Sequence, residues 1–254
     1  MDSVGLIAAM PQESAALLRC IKGGERVQLG AYRGWHFQLL DRDCLMLQSG
    51  MGLQRATDAT RFLLTQVHPQ FLVSFGIAGA VNPDLNIGDG IVAAISCLLD
   101  KGLPGQFQPL ASLSTAAWNT AAQALQGLGA HLFSGTAITT RGSQVIQPQL
   151  GALPHPIPEM ETAGIARVAA ENGIPLLSIR SISDGPRSPI PFDLEAVLDE
   201  QDNLRLGKLL MMVIRRPWMI LQTRRMTQNS RKAADFAAVA LVAAFRQPSP
   251  ILTS

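Results

Sequence analysis

Short apolar runs rich in β-branched residues alternate along the chain with longer stretches whose apolar positions recur at helical spacing. This alternation predicts an α/β domain built on a largely parallel or mixed sheet. Val4 to Met10 reads as a buried strand, and Pro11 then opens a helix to about Ile21, at a first turn where its missing N–H removes no helical bond. Trp35 to Asp41 and Cys44 to Ser49 read as a hairpin, Gly50 and Gly52 as a tight turn, and Gln54 to Val67 as a helix. Phe71 to Phe75 reads as a strand ending in the small-residue loop GIAGA, followed by a strand from Asp89 to Leu99, a helix from Thr115 to Leu128 and a strand from Leu132 to Thr139. Met160 to Asn172 is a predicted helix, and Pro175 to Ile182 a strongly apolar strand that stops at Ser183-Asp184-Gly185. Residues 100–114 and 142–158, rich in Gly, Pro and Gln, read as the mobile loops. No repeat and no linker divides the chain, so 1–254 is expected to form a single domain.

The charge distribution singles out the end of the chain. Residues 201–254 carry nine Lys/Arg and two Asp/Glu, whereas 1–200 carry twelve and seventeen, so a net charge of +2 conceals a basic tail on an acidic body. From Asn203 to Ala234 eight basic residues and no acidic one interleave with the apolar clusters Leu209 to Ile214 and Trp218 to Leu221. This basic amphipathic extension, 203–246, has three readings: a pair of helices packed on the domain with a solvated Arg face, peripheral attachment to an anionic membrane, or a surface joining two copies of the chain. Nucleic acid is not an expected partner, since Arg215 and Arg216 sit among Leu, Met and Trp without a reader motif.

At 254 residues with 47% hydrophobic and 16% charged positions, the chain is long and apolar enough for a well-formed core, which excludes global disorder. Its longest clear apolar run, Phe236 to Phe245, falls short of the roughly 18 residues of a membrane span, and the first residues lack the basic n-region of a secretory signal. A cytoplasmic location is expected, with the inner membrane surface as the peripheral alternative. Cys20, Cys44 and Cys97 read as reduced core thiols. His36, His68, His131 and His155 form no pair with metal-ligand spacing, and neither a metal nor another cofactor is expected.

Ligands of open α/β sheets collect beyond the carboxyl ends of the strands, which directs attention to the polar residues there. Glu13 follows the first predicted strand on the first turn of a helix, where it equally serves the helix dipole. Glu159 and Glu161 flank Met160 at another helix start, and Asp184 follows the strand PLLSIRSIS, where an Asp before Gly-Pro is also a common turn former.

AMPQE, SGMG, FGIAGAVNPDLNIGD, EMETAG and SIRSISD occur in this order. Together they resemble the purine nucleoside phosphorylase and methylthioadenosine/S-adenosylhomocysteine nucleosidase family, over about residues 3 to 185. The resemblance implies a mixed, partly barrel-like central sheet flanked by helices and cleavage of a purine N-glycosidic bond. A purine leaves ribose readily only if its N7 is protonated as the bond stretches, and Asp184 matches the family's acid, oriented by Ser183. The ribosyl group becomes cationic in the transition state; Glu161 matches the residue that clamps its hydroxyls, Met160 the one that packs on the sugar, and Arg180 a site arginine whose alternative is a structural ion pair. Glu13 matches the carboxylate that activates water in the hydrolytic branch.

The resemblance also places the substrate against Ile77, Ala78 and Gly79 and against Ile138 and Thr139. Ile77 stands where a small polar residue is common, and Ile138 where an aromatic usually stacks on adenine. Gly50, Gly52 and Arg55 would hold the phosphate or the water, as a phosphorylase needs such a cradle for a dianion, while Arg55 equally reads as a solvated helix residue. Glu13 favours water, because a carboxylate beside the nucleophile repels phosphate. The expected reaction is therefore hydrolysis of a 5′-substituted adenosine. Phosphorolysis and a binding protein without catalysis are the alternatives, and the expected assembly is a homodimer. In place of the family's usual last helix stands the basic extension, which resembles a hopanoid-associated branch thought to remove adenine from an adenosyl-lipid.

Overall fold

The computed structural model describes residues 2–100, 103–140, 150–187, 219–248 and 250–253. Its strands are β1 (Asp2–Ala8), β2 (Glu25–Leu29), β3 (Tyr32–Leu39), β4 (Arg42–Gln48), β5 (Phe71–Gly79), β6 (Gly90–Asp100), β7 (Leu103–Pro104), β8 (Gln108–Pro109), β9 (Leu132–Thr139), β10 (Pro156–Glu159) and β11 (Leu176–Asp184). The helices are α1 (Pro11–Ile21), α2 (Leu53–Gln66), α3 (Thr115–Gln126), α4 (Thr162–Glu171) and α5 (Met219–Phe245).

One mixed sheet runs in the order β10-β9-β6-β11-β5-β1-β4-β3-β2, with β7 and β8 added on β6. The pairs β1–β4, β1–β5, β5–β11, β6–β9 and β9–β10 are parallel; β6–β11, β2–β3 and β3–β4 are antiparallel. The sheet curls, so that the edge strand β10 returns to the end of β5, where Val81 donates a hydrogen bond to the Pro156 carbonyl at 3.4 Å. This is the partly barrel-like form that the resemblance implied. Helices α1, α3 and α5 cover one face and α2 with α4 the other, giving a three-layered single domain.

The departures from the predicted elements have local causes. β1 ends two residues before the predicted Met10, because the N–H groups of Ala9 and Met10 are taken by the Glu13 carboxylate. β2, which was not predicted, is an edge strand with little buried surface and so lacks an apolar signature. β5 continues through Gly76–Gly79, which had read as a loop, because that segment pairs in parallel with Arg180–Asp184. The segment 142–158, also read as a loop, contains β10 and a 3₁₀ turn at Leu150–Ala152; residues 142–149 lie outside the described residues. Two prolines hide β10 from a strand reading, yet an edge strand tolerates them because one row of its N–H groups needs no partner.

The basic extension is resolved into two parts. Residues 203–218, including the Leu209 to Ile214 cluster, lie outside the described residues. The remainder is a single 27-residue helix whose second half is core: Ala233, Ala234, Ala237, Ala238, Leu241, Ala244 and Phe245 are buried at helical spacing. Their small side chains let α5 approach β5 and β11 closely.

Candidate active site

The end of β5 beside β11 is built from glycine and alanine because other side chains occupy the space. A Cβ at Gly76 would fall on Oε1 of Glu13 and Nη1 of Arg180, and one at Gly79 would stand 2.9 Å from Oδ2 of Asp184. Sequence register explains both: Gly76 pairs with Arg180, and Gly79 with Asp184 across a β-bulge that includes Ser183.

Around Gly76 the chain gathers three buried carboxylates and one guanidinium. Glu13, in the first turn of α1, accepts from the backbone N–H of Ala9 (2.8 Å) and Met10 (2.7 Å) through Oε2 and of Ile77 (3.0 Å) through Oε1. Glu13 thus sits where the helix dipole favours an acid, and its carboxylate also lies beside Gly76 and within the field of Arg180. Glu161 is the N-cap of α4; its Oε1 accepts from Gly52 N (3.0 Å), and its Oε2 lies 3.7 Å from Nη2 of Arg180. Arg180 donates through Nη2 to Ser74 Oγ (2.7 Å), Glu159 Oε2 (3.1 Å) and Thr162 Oγ1 (3.2 Å), while its buried Nε and Nη1 have no hydrogen-bond partner among the described residues.

Burial raises the pKa of Glu13, an effect opposed by the charge of Arg180 and by the three backbone donors. For Glu161, burial, with smaller contributions from the neighbouring carboxylates Glu159 and Glu13, outweighs Arg180 and pushes the group up to about 7. This chamber of buried side chains brings together carboxylates of raised pKa and, among the described residues, two Arg180 nitrogens without a hydrogen-bond partner.

Asp184, the last residue of β11, pairs with Gly79, three positions along β5 from Gly76. Ser183 Oγ donates to its Oδ1 at 2.6 Å, and burial raises its pKa against that hydrogen bond. The Ser183 hydroxyl also lies 3.3 Å from the Ala78 carbonyl, so the Ile77-Ala78-Gly79 segment links Glu13 at one end to the Ser183-Asp184 pair at the other.

The remaining predicted residues divide. Met160 is half-buried beside Glu161. Gly50 and Gly52 have φ of +83° and +105°, values that glycine adopts without strain, and Arg55 folds back with its Nη1 3.0 Å from a Cβ built on Gly50. Arg55 has no carboxylate partner among the described residues. Ile138 is fully buried with Cys97 and Leu150 in a satellite core and presents no surface to a ligand. Thr139, also fully buried, bonds Glu159 Oε1 and accepts from Ala163 N, so it joins β9 to the start of α4.

Glu159, in the sequence only a neighbour of Glu161, organises the chamber. Its Oε2 accepts from the N–H groups of Glu161 (2.9 Å) and Thr162 (2.7 Å), from Thr162 Oγ1 (2.7 Å) and from Arg180. The available signal was a carboxylate just ahead of a predicted helix. Ser74 and Thr162 gave no such signal. In the NIGD segment, Asp89 pins its surroundings rather than entering the chamber, accepting from Asn86 N (2.7 Å) and His131 N (2.9 Å).

The Phosphorylase superfamily matches residues 3–208. A 5′-methylthioadenosine/S-adenosylhomocysteine nucleosidase of Geobacillus thermodenitrificans is 30% identical over 227 residues, covering 80% of this chain and 94% of the relative. The same fold is seen in the Colwellia psychrerythraea nucleosidase crystallised with adenine (TM-score 0.71, 19% identity, 99% of this chain and 96% of that one). It recurs in the futalosine hydrolase of Helicobacter pylori (TM-score 0.67, 20% identity, 95% and 96%). The ordered motifs, the curled mixed sheet and the match across four-fifths of the sequence lead to one assignment: the chain belongs to the phosphorylase superfamily.

Proposed function

We propose that the chain hydrolyses the N-glycosidic bond of a 5′-substituted adenosine and releases the base. The observation that carries this reading is the excess of negative charge around Gly76. Three buried carboxylates, Glu13, Glu159 and Glu161, face one guanidinium that keeps two nitrogens without a partner among the described residues. Such a chamber stabilises a cationic ribosyl transition state and disfavours a phosphate dianion. Glu161 clamps the sugar hydroxyls and Arg180 orients it. Water attacks C1′ and passes its proton to Glu13; the C1′–N9 bond breaks, its electron pair enters the purine, and N7 takes a proton from Asp184, which Ser183 orients. The substrates named for the 30% identical relative support the 5′-substituted adenosine class.

The test is chromatography of free adenine from 5′-methylthioadenosine in buffer with and without phosphate. Equal release in both, with free sugar as co-product, is expected. A strict requirement for phosphate, with a sugar 1-phosphate formed, overturns hydrolysis. That second outcome has one observation in its favour, Arg55 beside Gly50 with no carboxylate partner among the described residues.

We infer further that the extension is an integral part of a 1–254 domain and that its exposed Arg224, Arg231 and Lys232 continue the basic stretch towards an anionic membrane surface. No helix among the described residues is long and apolar enough to cross a membrane. Truncation is unsuitable as a test, because the end of α5 is core. Flotation with anionic vesicles should instead be lost on changing these three residues to Glu; unchanged flotation, or none by the original chain, overturns the contact. The exposed Leu103 and Phe107 beside β7 and β8 support a homodimer, which sedimentation tests directly.

A further inference from the structure

A cavity of about 340 Å³ opens between the turn after β11, the turn at 85–87 and the basic half of α5. Asp184 lines it, but Glu13, Glu161 and Arg180 do not, so it lies beyond the chamber on the side of the proton donor. Its apolar wall includes Leu85 and Ile182; its polar lining includes Arg187 from the strand-end turn and Arg225 from α5. Neither guanidinium has a carboxylate partner among the described residues. Arg187 spends one nitrogen on the Pro83 carbonyl, which steadies the side chain while its other nitrogens remain available.

Two cations brought to one concavity from separate elements, neither in an ion pair among the described residues although Asp184 lines the same cavity, suit an oxyanion held in charge-assisted hydrogen bonds. We propose that this cavity is an anion subsite, in which Arg187 and Arg225 hold a carboxylate or phosphate next to Asp184. Its placement relative to the substrate rests on the reading of Asp184 as the acid that protonates the base. On that reading an anion here lies on the leaving-group side, too far round to act as the nucleophile. It is either a substituent carried on the purine or a free oxyanion.

Calorimetric titration of the full chain with inorganic phosphate tests the site itself. Saturable binding is expected, weakened about tenfold by Arg187→Ala and by Arg225→Ala, the loss typical of one charge-assisted hydrogen bond. Arg231→Ala, on the exposed side of the same helix, should bind as the original chain does. Absence of saturable binding, equal weakening by Arg231→Ala, or weakening by Arg55→Ala alone overturns the proposal. The source of the anion follows from comparing adenosine with adenosine carrying a carboxymethyl group on N6. A preference for the acid that falls about tenfold in the Arg187 and Arg225 variants identifies a substituent on the base, and phosphate binding without such a preference identifies a free oxyanion. Adenine release from 5′-methylthioadenosine by the same preparations tests the hydrolytic reading separately: if release fails while phosphate still binds, the subsite stands without that reading.

Discussion

Arg180 and Glu159 form an ion pair at 3.1 Å in which both side chains are shut off from solvent. Removing one partner of such a pair leaves an uncompensated buried charge, so it costs far more than the pair itself contributes. Glu159 also holds the first N–H groups of α4, which places Glu161. Glu159→Ala is therefore expected to lower unfolding stability by about 3–5 kcal/mol, read by urea denaturation, and to depress turnover at temperatures where the variant remains folded. A loss below about 1 kcal/mol, the range of exposed pairs, would mean that Thr139, Ser74 and Thr162 hold Arg180 and α4 without it.

Glu161 gives stability and activity opposite dependences on pH. Its carboxyl is raised from 4.5 to about 7. Between those values the native state holds a proton that the unfolded chain has already released, so stability falls as pH rises through this window. Only the ionised carboxylate steadies a cationic sugar, so kcat/KM should rise with pH through an apparent pKa near 7. Denaturation midpoints and initial rates across pH 5 to 8 read both trends. Glu161→Gln should flatten the first and abolish the second.

Asp184→Asn separates chemistry from folding. Burial holds the Asp184 carboxyl above its usual range, with Ser183 opposing, so the neutral form is the one that its surroundings favour. An amide retains an acceptor for Ser183 and removes the cost of burying a charge, but it cannot deliver a proton to N7. Base release should fall by about 10² to 10⁴, the usual contribution of a positioned general acid. The thermal midpoint should be unchanged or higher. Turnover at the original rate would remove Asp184 from the mechanism.

The sequence disclosed the helices and most of the strands because their apolar positions keep a single period, as in Pro11–Ile21 and Leu132–Thr139, both read with the bounds observed. It misled where a residue's surroundings belong to distant segments. Gly76–Gly79 has the composition of a turn, and only the side chains of Glu13, Arg180 and Asp184 occupying the space beside it explain why small residues form a strand there. Ile138 illustrates the opposite limit: the family position implied a wall of the base site, whereas Cys97 and Leu150 enclose it, a packing partnership no local pattern records. The positions of Glu13 and Glu161 at helix starts and of Asp184 at a strand end were legible in the sequence. The organising role of Glu159 was not, because it depends on Arg180, 21 residues away.

Arg42, at the start of β4, is the fully buried clamp on the far end of α5. Its Nη1 donates to the Phe245 carbonyl at 3.1 Å and its Nη2 to that of Gln247 at 3.3 Å, and the guanidinium carbon lies 5.8 Å from the centre of the Phe245 ring. The last carbonyls of a helix lack internal donors and carry the negative end of its dipole, so a buried cation there satisfies both needs. Arg42→Ala leaves those carbonyls without this donor and opens a void in the core, and should lower stability by about 2–4 kcal/mol. Asp41, the acidic partner at 3.1 Å, is 68% exposed, and its removal should cost less than about 1 kcal/mol. Arg42→Lys should recover only part of the loss, since one ammonium cannot reach two carbonyls in the fixed geometry of a guanidinium. Urea denaturation of the three variants gives the ranking. Equal losses from Arg42→Ala and Asp41→Ala would mean that the surface ion pair, and not the capping of α5, holds this end of the helix against the sheet.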